Sequence, residues 1–265
     1  MRRRLPVPVL VLAVIGAALV ALPVLALVPR APWGDFVATL SGPGSRTALR
    51  LSLEVSAAAA FLSVVLGVPL AWVLARSEFP GRSVLRALVI LPIVLPPVVA
   101  GVALLEALGR RGVVGGWLDR VLGIQLTFTT GGAIAAATFV SMPLMILAAE
   151  AGFRSIDPRY EQSAAVLGAR PGYALRRIVL PMTAPQLAAG AVLAWARALG
   201  EFGATITFAG NLQGRTQTVP LAVFQRLQTD PDGAIALSLV LVAISIVVLV
   251  TFGTRLIGAR TGIRR

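Results

Sequence analysis

What most limits the fold of this chain is a set of apolar runs too long for a soluble core. Leu5 to Val28 is 24 residues without a charge. Thr47 to Ala75, Val84 to Leu108, Thr130 to Glu150, Gln186 to Phe208 and Gly233 to Ile257 follow, and each approaches or exceeds the roughly 20 residues that a helix needs to cross a hydrocarbon layer of about 30 Å. With no water at that depth, backbone groups must pair within the segment, which a continuous apolar run does as a helix. The expectation is an all-α integral membrane protein with about six transmembrane helices. A start as basic as Met1 to Arg4 also suits a secretory signal, but the run behind it exceeds the 7–15 or so residues of a signal core and no A-x-A cleavage pattern follows. It reads as a first membrane helix.

The charges support this reading and orient it. A net charge of +13 cannot lie against lipid, so the cations must collect in loops, where their bias marks the inner side. With the N-terminus inside, 15 of the 24 arginines fall in inner segments and 8 in outer segments or outer helix ends. Six crossings then return the C-terminus to the cytoplasm. The outer arginines would suit an anion arriving from that side; nucleic acid is not an implied partner. Arg50 and Glu54, near the outer end of the second run, are spaced to pair along a helix.

The chain contains no Lys, His or Cys. It therefore has no phosphate-loop lysine, no Schiff base, no Ser-His-Asp or Cys-His site and no imidazole or thiolate metal site. No pair of aspartates falls within a run, which disfavours a hydrolase acting inside the membrane. If ATP drives this protein, another chain must bind it.

Two places depart from plain apolar patterning. Pro92, Pro96 and Pro97 interrupt the third run, and proline inside a membrane helix frees carbonyls and kinks it. A bent helix is expected there, either lining a pathway or simply packing. In the fifth run, Arg197 lies about eleven residues after Gln186, roughly 16 Å into the layer and near its middle. A cation at that depth needs protein, water or a counter-charge. Glu201 is one turn away, but Arg-before-Glu is the weaker helical order, so a partner on another helix or on a second copy stays open, as do both a packing role and a role along an anion path. Thr205 and Asn211 are further pathway candidates.

Between the fourth and fifth runs stands Asp157-Pro-Arg-Tyr-Glu-Gln-Ser-Ala-Ala-Val-Leu-Gly168. Asp157 is a good N-cap, Pro158 sits where a missing N–H costs nothing, and Gly168 supplies a left-handed stop. A short exposed helix is expected, with Tyr160, Ala164 and Leu167 on one face. A second short helix, Tyr173 to Leu180, should follow, closed by Pro181 and Pro185.

Glu161-Gln-Ser-Ala164, Leu167-Gly168-Ala169, Ile178-Val-Leu-Pro181, Pro185 and Gly190 resemble the cytoplasmic EAA loop of ABC-importer permease subunits of type I, with Ser163 in place of the usual first alanine. Gly109 to Trp117 resembles an external loop of the molybdate branch of these permeases. Trp195 to Asn211 with Gly214 to Leu221 is similar to molybdate and tungstate permeases, and more distantly to sulfate permeases. The resemblance covers most of residues 47–253. It implies a permease core there, with a coupling loop over 150–185, preceded by an N-terminal helix and external loop over 1–46 and followed by a basic cytoplasmic tail over 254–265. Tyr160, Glu161, Ser163, Ala164, Leu167, Gly168 and Ala169 are the implied ATPase-coupling residues. The implied partners are a second copy of the chain, two ATP-binding ABC subunits and an external oxyanion-binding protein, in a bacterial or archaeal inner membrane. No cofactor or metal is expected on this chain, since the ATP is used by the partner. Molybdate or tungstate is the implied cargo, with sulfate or thiosulfate as the alternative. A secondary anion transporter or channel is a further reading, which the buried Arg197 and Glu201 would also suit.

Overall fold

The computed structural model describes residues 6–258, with side chains through Thr251. The arginines expected to mark the inner side at residues 2–4 and beyond 251 lie outside the described side chains. The described residues form helices α1 (Val7–Leu25), α2 (Phe36–Ser41), α3 (Pro43–Arg76), α4 (Arg82–Val94), α5 (Pro97–Leu108), α6 (Gly115–Leu122), α7 (Thr130–Ser155), α8 (Arg159–Val166), α9 (Pro171–Ala174), α10 (Leu180–Leu199), α11 (Gly203–Phe208), α12 (Val219–Arg226) and α13 (Pro231–Gly258), and no strand. Five stretches are long and apolar enough to cross a membrane: α1, α3, α7, the continuous helical run Pro171–Leu199 and α13.

The centre is α3 and α7, with α10 against both. Small residues let these helices approach, as expected where lipid removes the hydrophobic drive and close packing must replace it. A Cβ on Gly67 would press on Ile146 and Met145 at 3.2 and 3.5 Å, and one on Gly190 would meet Ala148 Cβ at 2.8 Å. Ala71, Leu74, Met145, Ile146, Ala149, Phe153 and Val179 form the buried cluster at the α8 end of this core. Deeper in, the Ser63 and Ser141 hydroxyls face each other at 3.3 Å across α3 and α7. By contrast, α1 has no buried residue.

Three expectations are corrected. The third apolar run is not one bent helix but two, α4 and α5. Proline pushes its preceding residue out of the helical region, and here two successive residues precede prolines, so Leu95 (ψ 136°) and Pro96 (ψ 137°) are both extended. The fifth run is likewise broken, at Gly200 to Phe202, before the short α11. Finally, the helix expected to close at Pro181 continues. Residues Leu175–Val179 adopt a π turn, in which Leu180 N donates to Leu175 O. A π turn widens the helix by one residue, and it lies immediately before the ring of Pro181, so the helix passes the proline rather than stopping there. α9 and α10 are therefore one helix in two registers.

The two halves that follow the breaks pack on each other. Gly101 of α5 lies against Thr207 of α11, and Gly203 of α11 against Pro97 of α5. In neither place is there room for a Cβ.

Candidate functional site

The α8 helix is specified at both ends. The Asp157 carboxylate accepts from Arg159 N at 2.9 Å, one residue earlier than a third-position cap but with the same effect on a free first-turn N–H. At the other end Gly168 (φ +82°) carries the left-handed turn. Gly168 N donates to Ala165 O and Ala169 N to Ala164 O, both at 2.9 Å, which is the paired Schellman closure. Between them α8 turns Ala164 inward and leaves Val166 and Leu167 almost fully exposed, at 88% and 87%. Tyr160, Ala164 and Leu167 face one cleft, as expected, with Leu167 at its exposed rim. Tyr160, Ser163, Ala164, Leu167, Gly168 and Ala169 line a largely apolar cleft of about 670 Å³ between α8 and α9, closed by Tyr173 and Ile178.

Glu161 does not line that cleft. It turns toward the core, where Oε1 lies 2.8 Å from Arg76 Nη2 at the end of α3. The contact is an ion pair without hydrogen-bond alignment, since Glu161 Oε1 has no hydrogen-bond partner. Arg76 Nη2 also donates to Ile156 O at 3.2 Å. One turn deeper, the buried Glu150 carboxylate of α7 pairs with Arg86 of α4 and, at 2.9 Å, with Arg154. Sequence reasoning missed both links. Their one visible signal was that Arg76 and Glu150 each close an apolar run.

The four pathway candidates separate into two places. Arg197 stands in the last turn of α10, because the helix ends at Leu199 and does not run on to Phe208. Its Nη1 meets Glu201 Oε2 at 2.5 Å, and Glu201 Oε1 accepts from Ala204 N at 2.8 Å. The partner is thus on the same segment, in the order that is weaker within an intact helix. The break at 200–202 removes that constraint and lets the carboxylate cap α11. Glu201 is buried, whereas Arg197 keeps 36% of its side chain exposed. Thr205 is buried in the first turn of α11.

Asn211 lies elsewhere, at the end of the molecule opposite α8. There the loop after α11 is tied to the start of α7 by Thr130 Oγ1 donating to Arg215 O at 2.8 Å. Gln225 Oε1 of α12 accepts from Gln217 Nε2 at 2.6 Å and Asn211 Nδ2 at 3.4 Å. At the same end, Arg110, Arg111 and Arg120 border a cleft of about 800 Å³ around α6. Asp119 holds α6 in place through Gln125 and Arg110, and these two hydrogen bonds keep its carboxyl below the usual carboxylate range.

With this geometry in view, residues 63–263 match the family described as the binding-protein-dependent transport system inner membrane component. The chain belongs to this family. Among relatives of this permease, the molybdenum transport system permease protein ModB of Mycobacterium tuberculosis is 48% identical over 245 residues, covering 92% of each chain. ModB of Escherichia coli is 43% identical over 202 residues, covering 76% of this chain and 88% of that one. The sulfate transport system permease protein CysT of Escherichia coli is 35% identical over 234 residues, covering 85% and 84%. Among solved structures, a bacterial ABC transporter that imports alginate aligns with TM-score 0.72 at 19% identity, over 97% of this permease and 95% of that chain. The fold is that of an ABC-importer permease, in a multi-pass inner-membrane protein.

Proposed function

We propose that this chain is the membrane-spanning subunit of an ATP-driven importer for a tetrahedral oxyanion, molybdate or tungstate. The single observation that carries the cargo is kinship: identity of 43–48% to molybdenum permeases stands against 35% to a sulfate permease. The working assembly would be two copies of the chain, two ATP-binding subunits and an external binding protein. Support for the last comes from a similar alginate transporter solved with its periplasmic protein.

In this reading the α8 end is cytoplasmic, and the cleft between α8 and α9 receives an apolar side chain of the ATPase beside the exposed Val166 and Leu167. ATP binding draws the two ATPases together and the two coupling loops with them, which favours the state open to the outside. Arg197 adds positive potential beside the broken α10–α11 segment, and the paired breaks at Leu95–Pro96 and Gly200–Phe202 are where the helices can flex around a passing anion. The chain itself makes and breaks no bonds.

The test is uptake of labelled molybdate, tungstate and sulfate into vesicles carrying the reconstituted complex with each anion's binding protein. ATP-dependent uptake of molybdate or tungstate in preference to sulfate is expected. Sulfate preference would reassign the cargo, and uptake that needs no ATPase would overturn the reading in favour of a secondary transporter.

A further inference from the structure

At the end opposite α8, the start of α3, the loop after α11 and α12 enclose a cleft of about 200 Å³ bordered by Asn211, Gln213, Gln217, Gln225, Arg226 and Thr229. That is roughly the volume of seven waters. From this cleft we infer that the permease itself carries a weak oxyanion subsite at its outer mouth, built from side-chain amides and one guanidinium. The inference rests on the sidedness and cargo proposed above and adds a place on this chain where the anion stops.

The lining limits what can occupy the cleft. It contains no carboxylate, and its apolar contribution is confined to Gly44 and Ala222. A metal cation would meet Arg226 and find no anionic ligand, and an apolar ligand would find no surface. Unpartnered hydrogen-bonding groups of both kinds remain in the lining, among them the buried Asn211 Oδ1. Gln225 Oε1 accepts both internal amide hydrogen bonds, so Gln225 Nε2 has no partner among the described residues; nor do the side chains of Gln213 and Thr229. Arg226 brings the only full charge in the lining. Its Nη1 is 3.8 Å from Asp230 Oδ2, a distance at which the pair is loose and the guanidinium keeps free N–H groups. The exposed amides of Gln213 and Gln225 can turn their N–H groups inward beside this partly countered guanidinium, and a small dianion whose oxygens only accept then finds donors on several sides.

The weakness is part of the argument. An anion handed over from a binding protein must lose water, and amide N–H groups replace most of those hydrogen bonds while one partly countered guanidinium is the only charge that holds it. Conduction requires a site favourable enough to enter and weak enough to leave. Exposed Gln213 and Gln225 leave the cleft open to the outside, and Gly44 is what admits Gln213, whose Nε2 would be 2.9 Å from a Cβ placed there. Arg197 lies on a different segment, so a mouth site and a deeper potential would act in series.

The experiment is equilibrium binding of labelled molybdate, tungstate and sulfate to the purified permease–ATPase complex in the absence of any binding protein. Saturable binding in the millimolar range is expected. Gln213→Leu and Arg226→Gln should each weaken it by about tenfold, the loss of one charge-assisted hydrogen bond. Because Gln213 is an exposed loop residue without a partner, its substitution tests the site even if Arg226→Gln loosens α12. No saturable binding, or binding that survives both substitutions, overturns the subsite. Uptake with the binding protein present separates the two failures: a wild-type complex that imports none of the three anions sinks the transport reading, whereas normal import without cleft binding sinks the subsite alone.

Discussion

Two ion pairs carry testable weight at the scale of single residues. Glu161 reaches back to Arg76, so its effect on coupling should pass through that arginine. Glu161→Ala is expected to leave the protein folded, with local destabilisation of about 1–2 kcal/mol for a partly exposed pair, and to weaken ATPase association. Arg76→Gln should reproduce the defect in coupled ATP turnover; full coupling in that variant would show that Glu161 acts directly on the ATPase instead. The pair at Arg197 is asymmetric, because Glu201 is buried and Arg197 is one-third exposed. Arg197→Met strands a buried carboxylate and should cost about 3–5 kcal/mol, while the double change with Glu201→Gln should recover much of it. Denaturation of all three variants in detergent, beside uptake, separates the roles. Rescue of stability without rescue of uptake supports the pathway role, and rescue of both leaves only packing.

At the scale of elements, α8 depends on its left-handed stop. Gly168→Ala should cost about 1 kcal/mol for placing a Cβ at φ +82°, and amide exchange over residues 164–169 should quicken; unchanged exchange would mean that packing, not the Schellman turn, holds the end. On the opposite side, the lowered pKa of Asp119 gives α6 an anchor that is complete above the ordinary carboxylate range. That anchor is lost as the pH falls through the depressed value. Acid-dependent loosening of α6 should therefore disappear in Asp119→Asn, which is loosened already. The helix ends of α8 were legible in the sequence because capping is local: the hydrogen bonds at Asp157 and around Gly168 span at most five residues. The break after α10 was not, since it depends on a carboxylate that must find both Arg197 and the N–H of Ala204. Pro181 misled for the opposite reason, because a stop signal read from one residue takes no account of a π turn just before it. Of the predicted set within 160–169, all but Glu161 line one cleft because they share one short capped segment, while Asn211 was drawn toward Arg197 by nearness in the chain and belongs with Gln217 and Gln225.

For the whole molecule the open matter is sidedness. The chain has no cysteine, so Gly42→Cys, whose new Cβ would meet nothing closer than Thr39 O at 3.5 Å, reports on one position alone. Modification of this cysteine by an impermeant reagent from the outside is expected, and labelling only from the cytoplasm would invert the topology. The continuity of α9 with α10 then takes on a mechanical meaning. The run Pro171–Leu199 is a single shaft of 29 residues, about 43 Å along its axis, with its foot beside α8 and its head at the Gly200–Phe202 joint. In the transport reading proposed above, a swing of the foot by about 10° would carry the head through about 7 Å, so a small movement at the foot would arrive magnified beside Arg197, with the π turn and Pro185 as the places where the shaft can flex.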